Sequence, residues 1–229
     1  AAAAQNAELR ALEREPDNIR EVTGLARIRK RRRRRFFPLV FPALLLAVLA
    51  AAGITAASSL LKKAEDNYYN SAYPLKYSEL VTEYCKDYQV DEALVYAVIK
   101  NESGFQPDAV SNVDARGLMQ IQGPTLEWAV YREKEDAQVT ADDLFDPEVN
   151  VKYGVYLLSL FLDEFKTPDV ALCAYHAGWG NVKKWLQDPD YSSDGESLQV
   201  IPFGDTNAYV SRVLETRDIY QELYELPTY

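Results

Sequence analysis

Between Phe36 and Leu61 the chain carries no charged residue: FFPLVFPALLLAVLAAAGITAASSLL. No other stretch constrains the fold as strongly. At about 1.5 Å per residue, 26 helical residues reach about 39 Å, more than the roughly 30 Å of a bilayer's hydrocarbon core. In lipid a backbone must satisfy its own polar groups, so a single run of this kind is expected as a helix. Directly before it stands RIRKRRRRR, Arg27 to Arg35, with eight basic residues in nine. Positive charge stays on the cytoplasmic side, which places the N-terminus inside and residues 62–229 outside. The apolar run is longer than the roughly 7–15 residues of a signal-peptide core, so an uncleaved anchor in the cytoplasmic membrane is expected. Next to a membrane span, topology and anionic lipid account for the arginines better than nucleic acid does.

Charge divides the chain in the same way. Residues 1–61 hold 11 Lys/Arg against 5 Asp/Glu, and residues 62–229 hold 14 against 30. The acidic part is unsuited to phosphate backbones, so no nucleic-acid partner is expected. Two cysteines, Cys85 and Cys173, and one histidine, His176, form no cluster of metal-ligand spacing. No metal and no cofactor are expected. The two cysteines read as small buried thiols rather than a disulfide.

Four segments follow: a polar and polybasic cytoplasmic tail over 1–35, whose residues 1–26 read as disordered or weakly helical; the anchor over 36–61; a polar stalk over 62–74; and a mainly α domain over 75–226. In that domain Leu80, Val81, Tyr84, Cys85 and Tyr88 recur at helical spacing. Asp91 is placed to cap a second helix with Leu94, Val95, Val98 and Ile99 on one face. Asp146-Pro147 opens a third, and Thr167-Pro168 opens a fourth that Gly178 stops. Asn181 is read as the cap of a short fifth helix, and Asp205-Thr206 as the start of a last long one ending near Pro227. No sustained alternation of period two appears.

The second helix raises the functional question. Its apolar spacing continues into Glu102, in the last turn before Ser103-Gly104. A carboxylate at the negative end of a helix dipole, and partly desolvated, is pushed towards its protonated form. That is the state a general acid needs at neutral pH. Locally, a solvated glutamate at a helix end explains the same letters.

Motifs decide between the two. Glu102-Ser103 with Phe105, ARGLMQI (Ala115 to Ile121) preceded by Ser111, NVKYGVYLL (Asn150 to Leu158), AYHAGWGNV (Ala174 to Val182) and YVSRV (Tyr209 to Val213) occur in that order. The ordered set resembles the lytic transglycosylase family with the SLT domain, related in fold to goose-type lysozyme. The resemblance implies a lysozyme-like helical domain in which Glu102 is the single catalytic acid and base. Ser111, Gln120 and Tyr175 would line the subsite for N-acetylmuramic acid, with His176 beside it, and Tyr209 would orient the glutamate. Gly117 and Gly154 would permit close approach of backbone or helix. Two positions depart from the pattern. Gln122-Gly123 stands where the family has Met-Pro, and His176 stands where it has Asn. His176 reads either as a replacement for a structural amide or as a group whose protonation modulates activity.

The family's reaction needs one carboxyl group rather than the usual two. Glu102 would protonate the bond between N-acetylmuramic acid and N-acetylglucosamine in peptidoglycan glycan strands. It would then take the proton of the sugar's own C6 hydroxyl, closing a 1,6-anhydro ring without water. Asp108 and Asp114 read as solvated loop acids. Hydrolysis of the same bond, and a wall-binding scaffold with weak or lost catalysis, are the rival readings. All 16 tyrosines and 3 tryptophans follow residue 61, as a glycan cleft would favour. Trp128, Trp179 and Trp185 read as core or rim.

Overall fold

A computed structural model describes residues 18–134 and 138–229, with side chains from Phe41 onward. Of the tail read over 1–35, residues 1–17 lie outside the described residues and 18–35 are helical, including 18–26, where the sequence reads as disordered or weakly helical. The chain divides into two units, residues 1–67 and 68–229.

In the first unit, helix α1 (Asn18–Ala72) begins, and its last turn falls in the second unit. From Phe41 on it is long and apolar enough to cross a membrane, and its Leu45 and Leu49 side chains are exposed. The stalk read at 62–74 is helical through Ala72.

In the second unit, α2 (Ser78–Tyr88) and α3 (Glu92–Glu102) are followed by a two-strand hairpin, β1 (Ala115–Arg116) and β2 (Ile121–Gln122). Then come α4 (Gly123–Glu133), a 3-10 turn (Ala141–Phe145), α5 (Pro147–Phe165), α6 (Pro168–Ala177), α7 (Trp179–Leu186) and α8 (Gly204–Tyr224). Local signals explain most of these starts. Asp91 accepts the Ala93 N–H at 2.9 Å, and Asp146 accepts the Glu148 N–H at 2.8 Å with Pro147 in the first turn.

Three elements depart from the sequence reading. Helix α4 is not anticipated there, although Pro124 in its first turn and the buried pair Leu126 and Ala129 have helical spacing. Asn181 does not cap α7. Gly178, at φ 90°, turns the chain directly from α6 into α7, and Asn181 lies in the new helix with its Nδ2 donating to the Ala177 carbonyl at 2.8 Å. Helix α3 is not one-faced: Ala93 through Ile99 are all buried.

Burial of α3 sets the architecture. It packs chiefly on α8, while α5 packs on α6 and α2. A helix buried all round belongs at a domain's centre, and its ends are where its polar groups must find partners. The last turn of α1 joins this unit. Lys100 Nζ donates to the Ala72 carbonyl at 2.5 Å, and Tyr224 and Tyr220 donate to the Tyr73 and Pro74 carbonyls at 2.8 and 3.2 Å. Cys85 and Cys173 are buried free thiols, each pushed up by burial, Cys173 to about 12.

The 117–120 segment, Gly-Leu-Met-Gln, crosses the interior without regular structure, so its backbone needs partners from elsewhere. Side chains from three helices supply them. Asn150 of α5, fully buried, accepts the Met119 N–H at 2.7 Å and donates to the Arg116 and Leu144 carbonyls at 2.9 and 2.8 Å. Ser103, after α3, donates to the Leu118 carbonyl at 2.8 Å. Tyr175 of α6 donates to the Met119 carbonyl at 2.7 Å. Two glycines make room. A Cβ on Gly117 would overlap the Leu144 carbonyl and Asn150, and one on Gly154 would overlap Met119.

Candidate active site

Glu102 is the last residue of α3. Past it, Gly104 and Phe105 both take left-handed backbone angles, φ 59° and 66°, which turn the chain into the 106–114 loop. Ser103 holds this turn, since its Oγ also accepts the Phe105 N–H at 3.1 Å. The carboxyl is thus left at the floor of a cleft of about 820 Å³, walled by the hairpin, α4, α5 and α6. Among the described residues lining it, Glu102 is the only carboxylate and Arg132 the only lysine or arginine.

Burial pushes the Glu102 carboxyl up to about 7. The facing Tyr209 hydroxyl and the Arg212 charge pull in the opposite direction without cancelling it. The phenols of Tyr175 and Tyr209 are raised well above their ordinary value by burial and by the neighbouring carboxylate, so both stay neutral donors. The Tyr209 oxygen is buried and, among the described residues, has no partner of good hydrogen-bonding geometry; its contact with Glu102 is loose.

A raised carboxyl is also a stability statement. Below pH 4.5 Glu102 is protonated in both folded and unfolded chains and costs nothing. Between pH 4.5 and about 7 the unfolded chain gives up this proton while the folded chain holds it, so stability falls across that window and levels off above it. The neutral isostere in Glu102→Gln escapes this, so the variant is expected to match wild type at pH 4 and to exceed it by about 3 kcal/mol at pH 8. Thermal unfolding of the full chain at both pH values measures the difference. Equal melting temperatures at pH 8 would mean that the carboxyl is effectively solvated.

Five of the six residues singled out in the sequence, Glu102, Ser111, Gln120, Tyr175 and His176, line this one cleft. Tyr209 does not. It lies behind the wall, between Glu102 and the His176 ring that stacks on it at 4.4 Å. Ser111 and Gln120 are also committed to the loop backbone. Ser111 Oγ accepts the Ala115 and Val113 N–H groups at 3.0 and 3.3 Å, and Gln120 Nε2 donates to the Gly117 and Ala109 carbonyls at 3.0 and 3.1 Å. The Ser111 proton and the Gln120 carbonyl remain for a ligand. Asp108 and Asp114 are exposed, and Asp114 pairs with Arg116 at 3.0 Å. Of the tryptophans, Trp128 and Trp179 line the cleft and Trp185 is buried. Gln122 lines the wall beside Pro124.

The far wall is not anticipated by the sequence reading. Trp128 of α4 stacks on Phe161 of α5 at 6.3 Å, and Arg132 lies over the Trp128 ring at 5.6 Å. This makes an aromatic and cationic surface in the same cleft as Glu102. Recognising α4 from its proline and its helical spacing would have placed both residues on one face.

A helical domain with a half-buried glutamate, its carboxyl pushed up to about 7, in a cleft lined by aromatic rings is a combination that its relatives name. Residues 79–197 match the transglycosylase SLT domain family, and the chain belongs to that family. Among its relatives, the soluble lytic murein transglycosylase of Escherichia coli K12 is 31% identical over 144 residues, covering 62% of this chain and 22% of that protein. The membrane-bound lytic murein transglycosylase C of Pectobacterium atrosepticum is 30% identical over 167 residues, covering 64% of this chain and 47% of that one. Among solved structures, the lytic transglycosylase Slt of Pseudomonas aeruginosa, an inactive glutamate-to-glutamine mutant, superposes with a TM-score of 0.61 at 29% identity, covering 69% of this chain and 26% of that one. The chain thus spans about a fifth of its soluble relative and about half of its membrane-bound one.

Proposed function

We propose that this chain is a membrane-anchored lytic transglycosylase of peptidoglycan. One observation supports this most: a single carboxyl, held near pH 7, lies at the floor of a cleft with no second carboxylate among its described lining residues. At neutral pH a useful fraction of Glu102 carries a proton, and the group is poised to donate it to the glycosidic oxygen between N-acetylmuramic acid and N-acetylglucosamine. The bond breaks as the proton moves, and the N-acetyl group of the sugar stabilises the positive anomeric centre. Glu102, now a carboxylate beside the neutral Tyr209 phenol, takes the proton of the C6 hydroxyl. That oxygen closes on the anomeric carbon. One bond has broken, one has formed, and Glu102 is again protonated, with no water consumed.

Ser111, Gln120 and Tyr175 would hold the muramic acid, and Trp128 with Phe161 offers apolar ring faces to the strand. The exposed apolar surface of α1 from Phe41 on suits lipid rather than water. With the arginine block before it, the catalytic domain would work on the outer face of the cytoplasmic membrane, on glycan within reach of the anchor.

The product decides between this reaction and hydrolysis. The full chain in detergent, given isolated peptidoglycan, is expected to release glycans whose new ends are lighter by one water and resist borohydride. Reducible ends would mean that water is the nucleophile. Wall binding without cleavage would favour a scaffold.

A further inference from the structure

We propose that His176 is a second titrating group of the cleft and sets the acid edge of its working range: the neutral imidazole permits cleavage and the imidazolium opposes it. The inference deepens the reading of Glu102 as the acid and rests on it.

The imidazole is fixed from two sides. Its Nδ1 lies 3.0 Å from Oγ1 of the buried Thr206, and its ring stacks on Tyr209 at 4.4 Å with the planes 28° apart. Tyr209 in turn faces Glu102. Imidazole, phenol and acid are therefore consecutive neighbours, and His176 and Glu102 line the same cleft. With Nδ1 engaged by Thr206, Nε2 is the nitrogen left for a ligand. A threonine hydroxyl donates to a neutral Nδ1 or accepts from a protonated one. The anchor thus survives either protonation state, and titration changes the charge without releasing the ring.

The surroundings favour the neutral form. Although His176 is exposed at the cleft edge, partial desolvation holds it below the ordinary histidine value; Asp205 on α8 pulls it up, and Arg212 on the same helix adds to the lowering. Glu102 on α3 is largely protonated in the acid range, and the nearby phenols of Tyr175 and Tyr209 are neutral. Among the described residues, Asp205 is the one charge that favours an imidazolium here, and it is itself exposed to solvent.

One consequence follows from that charge. Breaking the glycosidic bond develops positive charge on the sugar, and a fixed cation facing the same cleft opposes it. At a separation of several ångströms and intermediate dielectric, one unit charge is worth about tenfold or more in rate. Activity is then bell-shaped in pH, with an alkaline limb from Glu102 and an acid limb from His176.

His176 is the only histidine in the chain, so its titration is directly visible. The full chain in detergent, labelled with 13C at histidine Cε1, gives one imidazole signal to follow from pH 4 to 9. Over the same range, peptidoglycan cleavage is measured for wild type and His176→Asn, each normalised to its own maximum so that a loss of absolute rate does not enter. The expected result has two parts. The wild-type acid limb coincides with the imidazole midpoint, below about 6.5. One unit under that midpoint wild type retains about a tenth of its maximum, while His176→Asn keeps more than about half. An acid limb unchanged in His176→Asn, or an imidazole midpoint more than about one unit from the wild-type limb, overturns the proposal. Should His176→Asn fail to fold, His176→Gln and the wild-type comparison carry the decision. Full cleavage by Glu102→Gln would instead overturn the role of the acid, and a separate variant reports it.

Discussion

Replacing Glu102 by glutamine is expected to leave a folded protein whose cleavage of peptidoglycan falls by about 10²–10⁴-fold, the usual contribution of a positioned general acid. Glutamine keeps the volume and the hydrogen-bonding reach of the side chain but has no acidic proton to give. It also removes the charge that burial penalises, so folding is not a competing explanation for the loss. The geometry sharpens the expectation. Glu102 ends a helix that is buried from Ala93 to Ile99 and closed by the Ser103 turn, so its carboxyl has little freedom to be replaced by a neighbour. Glu102→Asp, which withdraws the acid by one methylene, is expected to lose most of the activity as well, because proton transfer tolerates little displacement. The measurement is the rate of appearance of new glycan ends at pH 6, with unfolding followed in parallel. A variant that cleaves at the wild-type rate would return Glu102 to the status of an ordinary helix end.

The second large effect is expected at a residue that touches no substrate. Asn150→Ala removes one acceptor and both donors of a fully buried amide. It strands the Met119 N–H and the Arg116 and Leu144 carbonyls in the interior. Leaving a buried group unsatisfied costs about 1–3 kcal/mol, so the sum is expected to be about 3 kcal/mol or more. The effect should reach the cleft too. The 117–120 segment carries Gln120 and receives the Tyr175 hydroxyl at Met119, so loosening it misplaces the part of the cleft wall that these two residues form. Denaturant unfolding of the full chain measures the first effect, and the concentration dependence of cleavage measures the second. Asn150→Asp tests the cause. It keeps the acceptor for Met119 but loses the donors and buries a charge, so it should be no better than alanine. A loss under about 1 kcal/mol in Asn150→Ala would mean that water replaces the amide.

Some of this could be read directly from the chain, and the difference lies in range. Asp91 and Asp146-Pro147 start helices because a side-chain oxygen two residues from an N–H, or a ring that already holds φ, acts within one turn. These signals are local and the fold obeys them. Asn181 misled for the same reason in reverse: its capping potential is real, but Gly178, with its left-handed freedom, started α7 earlier. The pattern of Leu94, Val95, Val98 and Ile99 leads to Glu102, which lines the cleft, although α3 proved to be buried on every side rather than on one.

The order of motifs, the single histidine, the absence of charge from Phe36 to Leu61 and the presence of a glutamate at the end of an apolar helix were settled by the sequence alone. So was the family, because that ordered set of residues is specific. The tertiary structure alone decided the state of the site. Desolvation of Glu102, the stacking of His176 on Tyr209, the Trp128 and Phe161 wall, and the three side chains that satisfy the 117–120 backbone each depend on segments 15 or more residues apart. Dielectric and packing are sums over neighbours in space, and a linear chain does not state who those neighbours are.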